Sequence, residues 1–124
     1  MKKLKIATKE HSWEAELYKT ATAELIWDSL PLEGLANVWG EEIYFTIPVD
    51  APQEGSAKEI VDPGELGYWP VGNAFCIFFG PTPVSSGMEP RAYSPVNVFG
   101  KIKIDLSDLK KVVQGAILKI EKAG

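Results

Sequence analysis

A chain of 124 residues suffices for one domain, and a domain of this size buries about two thirds of its unfolded surface around a single core. The formal charge of −4 comes from scattered Asp and Glu, and no run of Lys or Arg exceeds two residues, which argues against nucleic acid and anionic membrane as partners. One cysteine, Cys76, excludes an intrachain disulfide and a thiolate metal cage and makes the cytoplasm the default compartment.

In chain order, "MKKLKIATKEH" starts positive but has no apolar stretch of about seven residues, so it is not read as a signal peptide, and no segment reaches the length of a bilayer span. Leu4 and Ile6 alternate with lysines, and Trp13, Ala15 and Leu17 alternate with Ser12, Glu14 and Glu16; this two-residue period predicts two half-buried strands joined by a short turn. From Thr20 the period changes. Ala23, Ile26, Trp27 and Leu30 fall at i, i+3, i+4 and i+7, so an amphipathic helix of about ten residues is predicted, capped by Thr20 or Thr22 and stopped by Pro31 and Gly34. Ile43, Phe45 and Ile47 alternate with Glu42, Tyr44 and Thr46 as a third strand ending at Pro48.

The stretch from Pro48 to Asn73 is rich in Pro, Gly and charge, and within it only "AKEIVD" reads as a short strand. "AFCIFF" is apolar on both faces, as a strand covered on both sides would be. After the turn-rich "GPTPVSSGMEPRAYSP", alternation resumes in "VNVFGKIKI". "DLSDLKKVVQG" then reads as a short helix capped by Ser107, with Leu109, Val112 and Val113 as its apolar stripe and Gly115 at its stop, and "AILKIEK" is a last strand. Antiparallel strands with only two helices favour a closed barrel capped by those helices, since closure removes exposed edges. One domain over residues 1–124 is predicted.

Chemistry is sparse. A Cys-His catalytic pair would need His11 and Cys76 in one pocket, yet one is in a predicted turn and the other in a doubly covered strand, so Cys76 reads as an inert core residue. Glu41 and Glu42 are adjacent on a strand, point to opposite faces and cannot share a proton or an ion, so they read as a solvated rim pair. No zincin, Walker or dinucleotide-binding motif occurs, and neither metal, cofactor nor catalytic residue is assigned. What remains is a set of aromatics: Trp39, Tyr44, Tyr68, Trp69 and Phe79. Phe79, and with it Trp39, reads as core filling; Tyr68 and Trp69 lie beside Pro70 in a turn, where they either cover a ligand groove or pack their own loop.

The opening strand-strand-helix through "TATAELIWDSLP", "GEEIYF" before Pro48, "PGELGYWPVGNAFCIFFGPTP" and "VNVFGKI" span nearly the whole chain and resemble the cyclophilin-like domains of uncharacterised function found in bacteria and archaea. The resemblance implies a mainly β fold, a closed antiparallel cyclophilin-like barrel. True cyclophilins isomerise X-Pro bonds in a surface groove with an arginine from an "FHR" stretch. The comparable stretch here is "YFTIP", with Phe45, Thr46 and Ile47 and no arginine, and the family's "QGGD" and "WLDGKH" segments are missing. With "VFG" aligned at Val98 to Gly100, Arg91 takes the place of the family's tryptophan. Prolyl isomerisation has a barrier of about 20 kcal/mol, and a preorganised donor in a comparable site is worth about 3–4 kcal/mol, so its loss costs roughly a hundredfold or more in rate.

The resulting reading is a cytoplasmic binding domain whose aromatic groove takes a small molecule or an extended peptide, with Tyr44, Phe45, Tyr68, Trp69, Phe79, Thr82 and Arg91 as site residues. The alternatives are a weak or atypical prolyl isomerase using Arg91, an isomerase or hydrolase of another class using Glu42, and a homodimer whose interface is the aromatic rim.

Overall fold

The computed structural model describes residues 2–123. Strand β1 (Lys3–Ala7) pairs with β2 (Ser12–Leu17) so that Leu4 lies opposite Ala15 and Ile6 opposite Trp13, and all four are buried. Cross-strand apolar pairs of this kind are what fixes a register. Helix α1 (Ala21–Asp28) is capped by Thr20, whose hydroxyl accepts the Ala23 N–H at 3.0 Å, and it buries Ala23 and Ile26. Thr22, the other possible cap, is buried within a polar network instead.

Two short strands follow that the sequence pattern does not show, β3 (Leu32–Leu35) and β4 (Asn37–Val38). Then come β5 (Glu42–Thr46), β6 (Lys58–Ile60), β7 (Glu65–Trp69), β8 (Ala74–Phe78), the twelve-residue β9 (Arg91–Ile102), a 3-10 helix (Ser107–Lys111) and β10 (Ile117–Lys122). The antiparallel ladder runs β3-β10-β1-β2-β9-β7-β8-β5-β4, with β6 also on β9.

Two expectations are corrected. The ladder is an open path rather than a closed barrel: its end strands, β3 and β4, are consecutive in the chain with only Ala36 between them. One residue cannot form the reversal that antiparallel pairing needs, so these strands are joined covalently and not by hydrogen bonds. The second helix is a 3-10 turn in which Leu106 occupies the cap position and Ser107 does not; the Asp105 carboxylate accepts the Ser107 N–H at 2.9 Å. The chain is already extended at Val112, which leaves Val113 67% exposed instead of completing an apolar stripe.

The sheet has an inner and an outer face. The main core fills the inner face with Leu4, Ile6, Trp13, Phe45, Leu66, Tyr68, Phe75, Ile77 and Phe99, and Ile26 of α1 packs into it. A second, smaller cluster on the other face joins Val61, Ala74, Cys76, Phe78, Ala92 and Val96. Strand β8 serves both cores, which is why "AFCIFF" is apolar throughout. Where β9 pairs with β7 its register slips between Leu66 and Gly67, a bulge that bends the strand as it leaves β6 for β2.

Candidate functional site

The chain's periodicity on β5, β7 and β9 places alternate side chains on the outer face, and there they line a cavity of about 280 Å³. Its walls are Trp39 from the β4–β5 turn, Glu42 and Tyr44 of β5, Trp69 at the end of β7, and Ala92, Tyr93 and Val96 of β9. The turn that presents Trp39 closes with reciprocal backbone hydrogen bonds to Glu42 and places Gly40 at φ +60°. A Cβ on Gly40 would lie 2.8 Å from the Cα of Thr82, so glycine lets this turn pack directly on the loop after β8.

The aromatic walls meet at steep angles. The Tyr93 ring stands edge-on to Trp39 (centroids 6.3 Å apart, 70° between planes) and to Trp69 (6.3 Å, 86°), within the separation at which aromatic pairs attract. Trp69 is further held by its indole N–H, which donates to Ser94 Oγ at 2.5 Å. Tyr93 itself is 71% exposed and borders the mouth.

Glu42 is the one charged residue in the lining and is only 6% exposed. Burial pushes its carboxyl up to about 7, with the Cys76 thiol drawing it slightly back, and no cationic side chain contributes. Burial and the neighbouring Glu42 in turn push the Cys76 thiol well up, so it stays protonated. The solvated rim pair expected of Glu41 and Glu42 is thus corrected. The two do face apart, but Glu42 turns into the cavity while the Glu41 carboxylate lies against Gly80.

Of the seven site residues expected from sequence, the cavity brings together Tyr44 and Trp69. Phe45, Tyr68 and Phe79 lie in the main core on the opposite face. The reason is strand geometry: Tyr44-Phe45 and Tyr68-Trp69 are neighbours on β5 and β7, and neighbours on a strand point to opposite faces. Tyr68 is not in a turn. Its hydroxyl donates to Val49 O and accepts from the Ala51 N–H and Asn73 Nδ2 inside the core. Thr82 is buried in the loop after β8, its hydroxyl donating to Arg91 O and its N–H to Ser85 Oγ, and it shapes the wall behind Gly40. The Arg91 guanidinium lies outside the cavity lining, 3.3 Å from Glu59 and 3.9 Å from Glu89. Trp39 and Tyr93 complete the site; Trp39 read as core filling, and Tyr93 was hidden in a Pro-rich stretch without periodicity.

His11 faces Asp108 at 3.5 Å and Cys76 packs beside Glu42, so neither joins the other in a nucleophilic pair. Among the described residues no group of three His, Cys, Asp or Glu could hold a metal ion, and no helix is long and apolar enough to cross a membrane.

Fold and site together define a mainly β domain with an aromatic cavity on the outer face of its sheet. Residues 2–121 match the family described as Cyclophilin-like, and the chain belongs to that family. It is similar to a hypothetical protein from Archaeoglobus fulgidus solved in solution: 39% identity, 98% of this chain and 95% of that chain covered, and a TM-score of 0.84. None of the curated proteins matches.

Proposed function

We propose that this cyclophilin-like domain binds a small molecule in the cavity between Trp39, Tyr44, Trp69 and Tyr93 and does not isomerise prolyl bonds efficiently. The cavity is the observation that carries the reading: about 280 Å³ lined mostly by aromatic and aliphatic groups with a single carboxyl group, just under the usual range for ligand sites of about 300–1,000 Å³. Such a volume suits a compact ligand better than an extended peptide. Against isomerisation stand the missing arginine in "YFTIP", where Phe45 faces the core, and the engagement of Arg91 by Glu59 and Glu89. The domain would act in the cytoplasm, where its single thiol stays reduced.

Two measurements test this. A protease-coupled prolyl isomerisation assay should find little or no activity, and an efficiency within about tenfold of ordinary cyclophilins would overturn that half of the proposal. A small-molecule screen read by indole N–H resonances should find ligands that move Trp39 and Trp69 while Trp13 and Trp27 stay in place; hits that move all four alike, or none, would count against the cavity. Glu42 favours one second reading, a proton-transfer enzyme, because a carboxyl titrating near 7 in an apolar cavity suits a general acid. In that case Glu42→Gln would abolish turnover of a bound ligand without releasing it.

A further inference from the structure

We infer that the ligand of this cavity is a small organic cation, an alkylated ammonium whose charge meets Glu42 and whose methyl groups pack among Trp39, Trp69 and Tyr93. The inference rests on the proposal that the cavity is a small-molecule site and names the chemistry of its occupant. Three observations carry it. Trp39, Tyr44, Trp69 and Tyr93 line one cavity, with Tyr93 edge-on to both tryptophans at 70° and 86°, so the lining is aromatic without the parallel stack that would take a planar ligand. Aromatic faces carry negative quadrupole potential, and aromatic walls of this kind are the usual receptor for quaternary ammonium ions, which are too weakly hydrated to resist transfer from water.

Second, Glu42 is buried in this lining with no cationic partner among the described residues, although buried carboxylates are ordinarily paired. A cationic ligand supplies the missing charge. Third, the lining holds no Lys, Arg or His, so no positive charge in it would repel a cation or pair with an anion. The Cys76 thiol on β8 is the titratable group in contact with Glu42, and Tyr44 of β5 and Tyr93 of β9 are the other titratable residues of the lining, to which β7 contributes Trp69.

Choline and its neutral isostere 3,3-dimethyl-1-butanol differ in the charge and share the shape, so titrating both against the full chain and following the Trp39 and Trp69 indole resonances isolates the cation. Choline should bind at least about tenfold tighter than the isostere at pH 8, and the preference should shrink by about tenfold at pH 6 as Glu42 takes a proton. Glu42→Gln, which keeps the shape, should cut the preference for choline at pH 8 by about tenfold and remove its pH dependence; a preference that still falls between pH 8 and pH 6 in that variant would overturn Glu42 as the counter-charge. Equal affinity for the two compounds would overturn the inference while leaving the cavity as a small-molecule site. So would failure of choline to bind at millimolar concentration in a protein whose Trp39 and Trp69 respond to other fragments. If no compound of any charge moves those two resonances, the proposed function fails along with the inference.

Discussion

The Tyr68 hydroxyl sits at a point where three groups converge, donating to Val49 O at 2.6 Å and accepting from Asn73 Nδ2 at 2.9 Å and the Ala51 N–H at 3.2 Å. Because the residue is fully buried, Tyr68→Phe keeps the ring but strips the Ala51 N–H of its partner, while Val49 O keeps Asn73 Nδ2, and unfolding in urea should show a loss of about 1–3 kcal/mol. A loss within error would mean that the Ala51 N–H finds another partner. Glu42 contributes in the opposite sense. Its folded carboxyl keeps its proton up to about 7 against an ordinary 4.5, so the contribution to stability is complete below about pH 4.5 and is lost as pH rises through 7. Gln cannot ionise. Relative to the parent chain, Glu42→Gln should therefore gain about 1–3 kcal/mol between pH 4.5 and pH 8, and parallel stability curves in urea across that range would show that Glu42 titrates normally. These residue-level facts were only partly legible in sequence. The alternation on β5 gave Tyr44 and Glu42 one face and Phe45 the other, but burial of Glu42 depends on side chains that β7, β8 and β9 bring from distant parts of the chain, which no local pattern encodes.

At the scale of elements, the part of the connection from β5 to β7 that precedes β6 is tied to the fold by side chains, while β6 itself pairs with β9. Asn97 of β9 donates from Nδ2 to Thr22 Oγ1 of α1 and to Pro52 O, and its Oδ1 accepts the Glu54 N–H at 2.8 Å; the Glu54 carboxylate in turn accepts from Thr22 N–H and hydroxyl. A helix, a strand and a connection thus share one network, buried at Asn97 and Thr22. Asn97→Ala should cost about 1–3 kcal/mol, since it takes hydrogen bonds from the buried Thr22 hydroxyl and from part-buried backbone groups at once. Amide exchange around residues 51–55 should speed up more than exchange in β1 and β2; a uniform increase would mean that the network supports the whole fold instead of the connection. The strands with clean alternation, β1, β2, β5 and β10, were readable from the chain. Strand β7 was not, because "ELGYW" is buried on both faces and sits among Pro and Gly that read as loop, and β3 and β4 are too short to show any period.

For the whole molecule, the covering of β8 on both faces makes Cys76 a reporter of global opening. The thiol is 1% exposed and burial holds its titration well up, so native labelling should proceed only through unfolding, at a rate whose urea dependence matches the global transition. Rapid stoichiometric labelling in the absence of denaturant would show that the outer cluster opens by itself, and with it the cavity wall.

Taken alone, the sequence determined the mainly β class of fold, the strand-strand-helix opening, the doubly buried β8 and the family resemblance, since each of these depends on local periodicity or on residues close together in the chain. Tertiary structure decided where the ladder ends and which aromatics share a cavity. Trp39, Trp69 and Tyr93 come from segments up to 54 positions apart, and only the pairing of β7 with β8 and β9 brings them together around Glu42. A strand's period says that two neighbours part to opposite faces; which face becomes the core is settled by what the rest of the chain packs against it.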